Sequence, residues 1–424
     1  MLRLSRYASW NAADQVITLG VPRLILFPIL GVMLGENAFG TFVIALGLIN
    51  IVGLSPSNGL VGYIIRDLVK QDESNQPLLL RTSLTLSLAT TLPFTLFFIF
   101  GAGYAARFFQ NNAELTRLLP LLGVFLLLTN VVETSLTKQR IQRNFHISTL
   151  VHTLQSALLF LAIPLYRMYG ARGIAMAYVL ATTASLVSSL YSERATYLRT
   201  PFYSSGFAKA AIRVWPAFSI SAFISLSAGY LDRLMLGYWW SPSVVAPFFA
   251  AVSTASMFAV PAIQASNLML NMLGKFERKD QFDKRFYRRY ALFVLAWTIM
   301  AFVVGTLLGR PILTLLYPRY VEQALPLWTY AVAAFALSNV PMLCRPFVSK
   351  FLNPTWLPIL STISLITRLI PLAIFVPTGG KHGAVLALLI GSAITAIVWL
   401  ILYLRHFAFA AEDCIAASRH TSAE

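Results

Sequence analysis

The sequence predicts an all-α integral membrane protein of about twelve transmembrane helices, and three observations predict it. Of its 424 residues, 57% are hydrophobic and only 12% charged, about half the ~25% charged content usual in soluble chains. Mean hydropathy is +0.70, so the apolar surface exceeds what one core can hide and lipid must serve as solvent. Apolar runs of about 20 residues, the length that crosses the hydrocarbon core, recur twelve times, and Lys and Arg collect in alternate links between them. Lipid forbids open strands, so the runs are helices.

The first span, 11–34, begins after Trp10, an interfacial anchor, and reads as a retained helix because no small-residue cleavage site follows it. Pro22 and Pro28 bend it. The second, 38–65, runs free of charge up to Arg66. The third, 82–104, starts after Arg81; the fourth, 117–137, ends at Lys138; the fifth is 147–168 and the sixth 173–192. A basic link from Glu193 to Arg213, with Pro201 and Ser204-Ser205-Gly206, precedes the seventh span at 214–237. The eighth, 244–271, leads into the densest basic cluster, Lys275 to Arg289. The ninth is 290–309, the tenth 324–344, the eleventh 356–377 and the twelfth 384–404. Gly31-xxx-Gly35 and Gly305-xxx-Gly309 permit close helix contact.

Charge sets the orientation. With the N-terminus in the cytoplasm, 23 of the 33 Lys and Arg fall on the cytoplasmic side and 8 on the other, while Arg23 and Arg368 lie inside spans. This positive-inside asymmetry places both termini in the cytoplasm. It also explains the net charge of +17 better than a nucleic-acid partner does. Two cysteines, Cys344 and Cys414, make neither a disulfide framework nor a zinc site, and no metal or cofactor is expected. Gly274-Lys275-Phe276 lacks the Ser/Thr of a phosphate loop, and Gly101-Ala102-Gly103 ends an apolar helix instead of following a strand. The outer loops are short and poor in carboxylates, so an enzyme such as a polysaccharide polymerase or glycosyltransferase is disfavoured.

The chain repeats itself with a period of about 210. Gly170-Ala171-Arg172-Gly173 opens the sixth span as Gly380-Lys381-His382-Gly383 opens the twelfth, and Asn130 and Asn339 fall in corresponding spans. Six spans per half make the repeats parallel, related by a pseudo-two-fold along the membrane normal. The expected organisation is an N-terminal six-helix lobe over 1–200, a C-terminal one over 201–406 and a cytoplasmic tail over 407–424.

Leu34-Gly35-Glu36-Asn37-Ala38-Phe39-Gly40-Thr41-Phe42, together with Asp232-Arg233-Leu234-Met235-Leu236-Gly237 and the two G-x-x-G openings, resembles the polysaccharide-biosynthesis flippases of the multidrug/oligosaccharidyl-lipid/polysaccharide exporter superfamily. Pro247 departs from that pattern, where the family more often has a Gly-x-Tyr arrangement. The resemblance implies two six-helix lobes around a cavity that alternates between membrane faces. It also implies an undecaprenyl-pyrophosphate-linked oligosaccharide, for O-antigen or exopolysaccharide, as cargo in a bacterial inner membrane, with membrane lipids and other polysaccharide-assembly membrane proteins as partners.

Polar groups inside spans are costly, so they face cavities or partners. Asp14 shares a stripe with Asn11 and Thr18 and is the ion-coupling candidate; pairing with a loop cation is its bland alternative. Arg23 and Arg368 are candidates for binding an anionic head group, with a buried structural pair as the alternative for Arg368. Gln264, Asn267 and Asn271 form an amide stripe and Ser361 and Ser364 share the face of Arg368; these suit sugar hydroxyls, or equally interhelical contacts. Asp232 and Arg233 form a structural or gating pair near the outer interface. Glu133 is expected to pair locally with Lys138 or Arg140, and His152 to lie shallow. The functional expectation is a flippase working by alternating access; its rival is a multidrug or cation antiporter of the same superfamily.

Overall fold

The computed structural model describes residues 20–53, 75–141, 144–192, 203–273, 284–352 and 356–409, with isolated positions that include Trp10, Asp14, Gly59 and Ile64. Among the described residues every regular element is a helix and none a strand. Ten helical stretches among the described residues are long and apolar enough to cross a membrane. Two of them, Leu24–Gly53 and Trp356–Ala408, contain a glycine with non-helical backbone: Gly35 at φ 77°, ψ 168° and Gly380 at φ 53°, ψ −132°. The second stretch therefore holds two spans, and the first holds the second span with the end of the one before it, the rest of which lies outside the described residues.

The chain forms two compact units, Met1–Phe249 and Ala250–Glu424. In the first, α1 (Phe27–Leu48) is followed by α2 (Gln76–Phe100), α3 (Ala102–Phe108), α4 (Ala113–Ile141), α5 (Phe145–Leu159), α6 (Ala162–Tyr169), α7 (Ala171–Ser192) and α8 (Ser205–Trp239). Helix α4 is central: it packs on α1, α2 and α7, while α7 also covers α5 and α6. Small residues let α8 approach α1. A Cβ on Gly47 would stand 3.2 Å from Leu234, and one on Gly237 would strike Ile44.

Helix α9 (Pro242–Ala255) enters the second unit, which continues with α10 (Val260–Leu273), α11 (Lys284–Leu316), α12 (Val321–Phe351) and α13 (Trp356–Tyr403). Helix α11 shows what its solvent is. It buries the small residues Ala291, Thr298, Ala301, Gly305 and Gly309 and exposes Leu292, Ile299, Leu307 and Leu315. A water-soluble helix does the reverse; here lipid covers the large apolar face and close packing drives association. Gly305 and Gly309 lie against Val332 and Trp328 of α12, whose indole donates 2.9 Å to the Gly305 carbonyl.

The two G-x-x-G motifs make the same structure. Gly170 (φ 60°, ψ −146°) and Gly380 (φ 53°, ψ −132°) both occupy a region that only glycine visits readily, reversing the chain between consecutive helices. Gly173 and Gly383, three residues on, sit where a Cβ would collide with the carbonyl oxygens of Leu165 and Phe375, each eight residues earlier. The repeat is thus a repeated helix reversal followed by a close helix crossing.

Gly383→Ala and Gly173→Ala are accordingly expected to cost about 1–3 kcal/mol each, the range for overpacking. Thermal unfolding in detergent should show a lowered midpoint for both. Gly379→Ala, whose Cβ meets nothing within 4 Å, should leave the midpoint unchanged; equal behaviour of all three variants would contradict the packing account.

Candidate functional site

The first unit holds a buried polar cluster. Asp14 is 6% exposed and His152 1%, and the imidazole Nδ1 lies 2.7 Å from Asp14 Oδ1. Ser148, one turn earlier on α5, donates to both carboxylate oxygens at 3.3 and 3.2 Å. On the other side of the ring, Nε2 is 3.4 Å from Glu133 Oε1 on α4, whose side chain is 29% exposed. An ionised carboxylate only accepts hydrogen bonds, so with Asp14 charged, Nδ1 and Ser148 are its donors. The geometry sets a partly exposed glutamate, an imidazole and a buried aspartate in a row, with the imidazole Nε2 near Glu133 but not hydrogen-bonded to it.

The cluster adds to two expectations. Glu133 faces His152 as well as its own helix neighbours, and His152 is buried within the protein. Their partnership was hidden because Asp14 and His152 are distant in sequence; the available signal was the polar stripe Ser148, His152, Gln155 and Ser156 along one side of α5. Neutral contacts surround it: Gln155 donates to Thr182 at 3.1 Å, Ser185 to the Val151 carbonyl at 3.4 Å and Ser156 to the Ile17 carbonyl at 3.3 Å. Asn11 and Thr18 of the expected stripe lie outside the described residues.

A second polar group stands on α8. Asp232 and Arg233 are both largely buried, with the Arg233 Nε 3.8 Å from Asp232 Oδ1. That oxygen instead accepts the backbone N–H of Arg233 at 2.7 Å. The guanidinium lies over the rings of Tyr230 and Phe249, 5.0 Å from each centroid. The expected pair is therefore an ion pair without a side-chain hydrogen bond between its members. The Arg23 backbone belongs to the π-helical turn Pro22–Leu26; its side chain lies outside the described residues.

In the second unit, Arg368 is half-buried midway along the first half of α13. Its stem is pressed on the second half of the same hairpin: a Cβ on Gly391 would stand 2.7 Å from Arg368 Cγ and 2.9 Å from the Thr367 carbonyl. Thr367 and Thr395 share a hydroxyl contact of 3.1 Å. Ser361 and Ser364 are half-buried on the same segment, and the Ser364 carbonyl accepts from Thr367 at 3.2 Å. Gln264 is half-buried on α10, where the side chains of Asn267 and Asn271 lie outside the described residues. No group of three or more metal-ligating side chains occurs among the described residues.

The repeated asparagines differ. Asn130 on α4 donates to the Gly53 carbonyl and to Thr91 Oγ1, both at 2.9 Å, tying a π-helical turn to α2 and α4. Asn339 on α12 is equally buried, yet neither amide atom has a partner among the described residues.

No family model matches the chain, and no curated protein matches it. Solved structures do. A multidrug resistance MATE family transporter of the MOP superfamily, in an inward-facing conformation, superposes with a TM-score of 0.73 at 17% identity, over 95% of this chain and 94% of that one. The lipid II flippase MurJ, in an inward closed conformation, gives 0.76 at 12% identity, over 95% and 87%. A MOP superfamily transporter from Pyrococcus furiosus, described as having a binding pocket of reverse polarity, gives 0.63 at 16% identity over 95% of each chain. The fold is shared with these transporters along nearly its whole length.

A double-mutant cycle tests the Asp14–His152 contact. Asp14→Asn and His152→Gln should each lower the unfolding midpoint in detergent, and the double variant should lose much less than their combined effects. The expected coupling is about 1.5–3 kcal/mol, as for hydrogen bonds to charged groups; additive losses would refute the contact.

Proposed function

We propose that this chain is a transporter that moves a polyprenyl-pyrophosphate-linked oligosaccharide across a bacterial inner membrane by alternating access, with both termini cytoplasmic. The observation that carries this reading is Arg368, a guanidinium held midway through a membrane span with its stem seated on Gly391. A charge there is costly, about 2.5–3.5 kcal/mol on insertion scales, and a guanidinium binds phosphate oxygens bidentately. The full-length fold likeness to a lipid II flippase supports a lipid-linked cargo.

In this reading the moving lobes are the six-helix repeats, 1–200 and 201–406, with 407–424 as a cytoplasmic tail. Arg23 and Arg368 meet the pyrophosphate; Gln264, Asn267, Asn271, Ser361 and Ser364 meet sugar hydroxyls; the polyprenyl tail stays in lipid. Asp14 couples transport to an ion. Its contact with His152 favours protons over Na⁺, because an imidazole N–H occupies the carboxylate where a cation would need oxygen ligands. The multidrug antiporter is the second reading. The buried Asp14 cluster and the likeness to a MATE transporter favour it, whereas a guanidinium inside a span suits an anionic cargo better than a cationic drug.

Deleting the gene should abolish a surface or secreted polysaccharide and trap lipid-linked repeat units on the cytoplasmic leaflet. Intact glycan with heightened sensitivity to cationic drugs would select the antiporter instead. At residue level, Arg368→Gln should lower transport per membrane-inserted protein roughly 10- to 100-fold, the equivalent of a lost charged hydrogen bond. Arg368→Lys should retain part of the rate, and full activity in the Gln variant would remove Arg368 from the binding site. Asp14→Asn should abolish the response of transport to an imposed pH gradient in vesicles; an unaltered response would make Asp14 a purely structural residue.

A further inference from the structure

We propose that Arg233, with the rings of Tyr230 and Phe249, forms a binding site in the first unit for the phosphate group of the lipid-linked substrate. The proposal rests on the flippase reading and adds to it a cation that neither the sequence pattern nor Arg368 supplies. The Arg233 side chain is only 14% exposed, so its charge is largely removed from water. Beyond the backbone bonds of its own helix, its N–H donates to Asp232 Oδ1, and its buried Nε has no acceptor among the described residues. Asp232 approaches Nε at 3.8 Å, close enough for an ion pair but too far for a hydrogen bond. Of the five N–H donors a guanidinium carries, the Nε–H is desolvated without an acceptor among the described residues, which is unfavourable.

The surroundings are built around the cation. Tyr230 and Phe249 each place a ring 5.0 Å from the guanidinium carbon, within the range of cation–π attraction. Phe249 is itself fixed by Phe27 and Phe39, with edge-on contacts of 5.6 Å to both. Tyr230 is held where α8 meets α1 at Gly47. The rings attract the cation and hold it in place, but they supply no acceptor for its N–H fork. A tetrahedral phosphate supplies two acceptor oxygens at the matching spacing. The aromatic walls suit the apolar faces of an attached sugar or the first isoprene units. Any phosphate ester shares this chemistry, including the head group of a bilayer phospholipid; the assignment here is to the substrate.

The test is equilibrium binding of farnesyl pyrophosphate to the purified full chain in phosphatidylcholine nanodiscs, with farnesol and inorganic pyrophosphate as parallel probes. Farnesyl pyrophosphate should bind well, inorganic pyrophosphate weakly and farnesol not measurably. Arg233→Gln should weaken the farnesyl pyrophosphate affinity at least tenfold, Arg233→Lys less, and Phe249→Leu several-fold. Arg310→Gln, at an exposed position of α11, should bind as the natural chain does. Unchanged affinity in folded Arg233→Gln overturns the site. Should that variant fail to fold, unchanged affinity in both Arg233→Lys and Phe249→Leu overturns it equally. Farnesol binding as tightly as its pyrophosphate reduces the site to an apolar groove. Phosphatidylglycerol nanodiscs give the last arm: competition that disappears in Arg233→Gln identifies a membrane phospholipid as occupant and overturns the assignment to substrate. Because binding is read without transport, Arg233-dependent binding alongside an intact cellular glycan would sink the flippase reading alone. Lost glycan on gene deletion alongside Arg233-independent binding would sink the site alone.

Discussion

Hydrocarbon offers backbone N–H and C=O groups no partner, so each must be satisfied within the protein. The described structure follows from that constraint. Its helices are interrupted where glycine permits it, at Gly35, Gly170 and Gly380, and where a turn widens to the π form at Pro22–Leu26 and Ile49–Gly53. At one such turn Asn130 supplies the missing donor to the Gly53 carbonyl. Hydroxyls inside the spans mostly bond back to carbonyls of their own helix, as Thr82 does to Leu78, Ser83 to Leu79 and Thr298 to Val294. Polar side chains are thereby tolerated in lipid, and those that remain free of this duty stand out.

Much of the fold was legible because the bilayer makes hydropathy an unambiguous code. Run length located the spans, and the G-x-x-G openings located two reversals whose backbone angles nearly coincide. Run length could not show that Gly35 and Gly380 lie within continuous helical stretches, since a glycine reversal leaves almost no polar gap. The site was less legible. Asp14 was visible as a charge in a span, but its partners His152 and Glu133 lie on α5 and α4, brought there by the packing of those helices. Local expectation paired Glu133 with its own helix because i, i+4 neighbours are the only contacts a sequence displays directly. Adjacency displayed the Asp232–Arg233 ion pair, but not the rings of Tyr230 and Phe249 over which the guanidinium lies.

The two halves of the repeat preserve scaffold but not chemistry. Gly173 and Gly383 meet equivalent carbonyls, and the same reversal precedes each. Asn130 and Asn339, by contrast, occupy matching positions but differ at the amide nitrogen. The Asn130 amide nitrogen is satisfied by Gly53 and Thr91, while its Oδ1 has no partner among the described residues; one period after Thr91 the chain has Met300 and Ala301, which offer no hydroxyl. Asn339 consequently sits fully buried with its amide unpaired among the described residues. Such a group costs about 1–3 kcal/mol, an appreciable share of the 5–15 kcal/mol that holds an ordinary domain folded. The Asp14–His152–Glu133 cluster lies in the first unit and the Arg368 seat in the second. The matching glycines thus set the same helix reversal and crossing in each unit, while the polar groups of the two units differ.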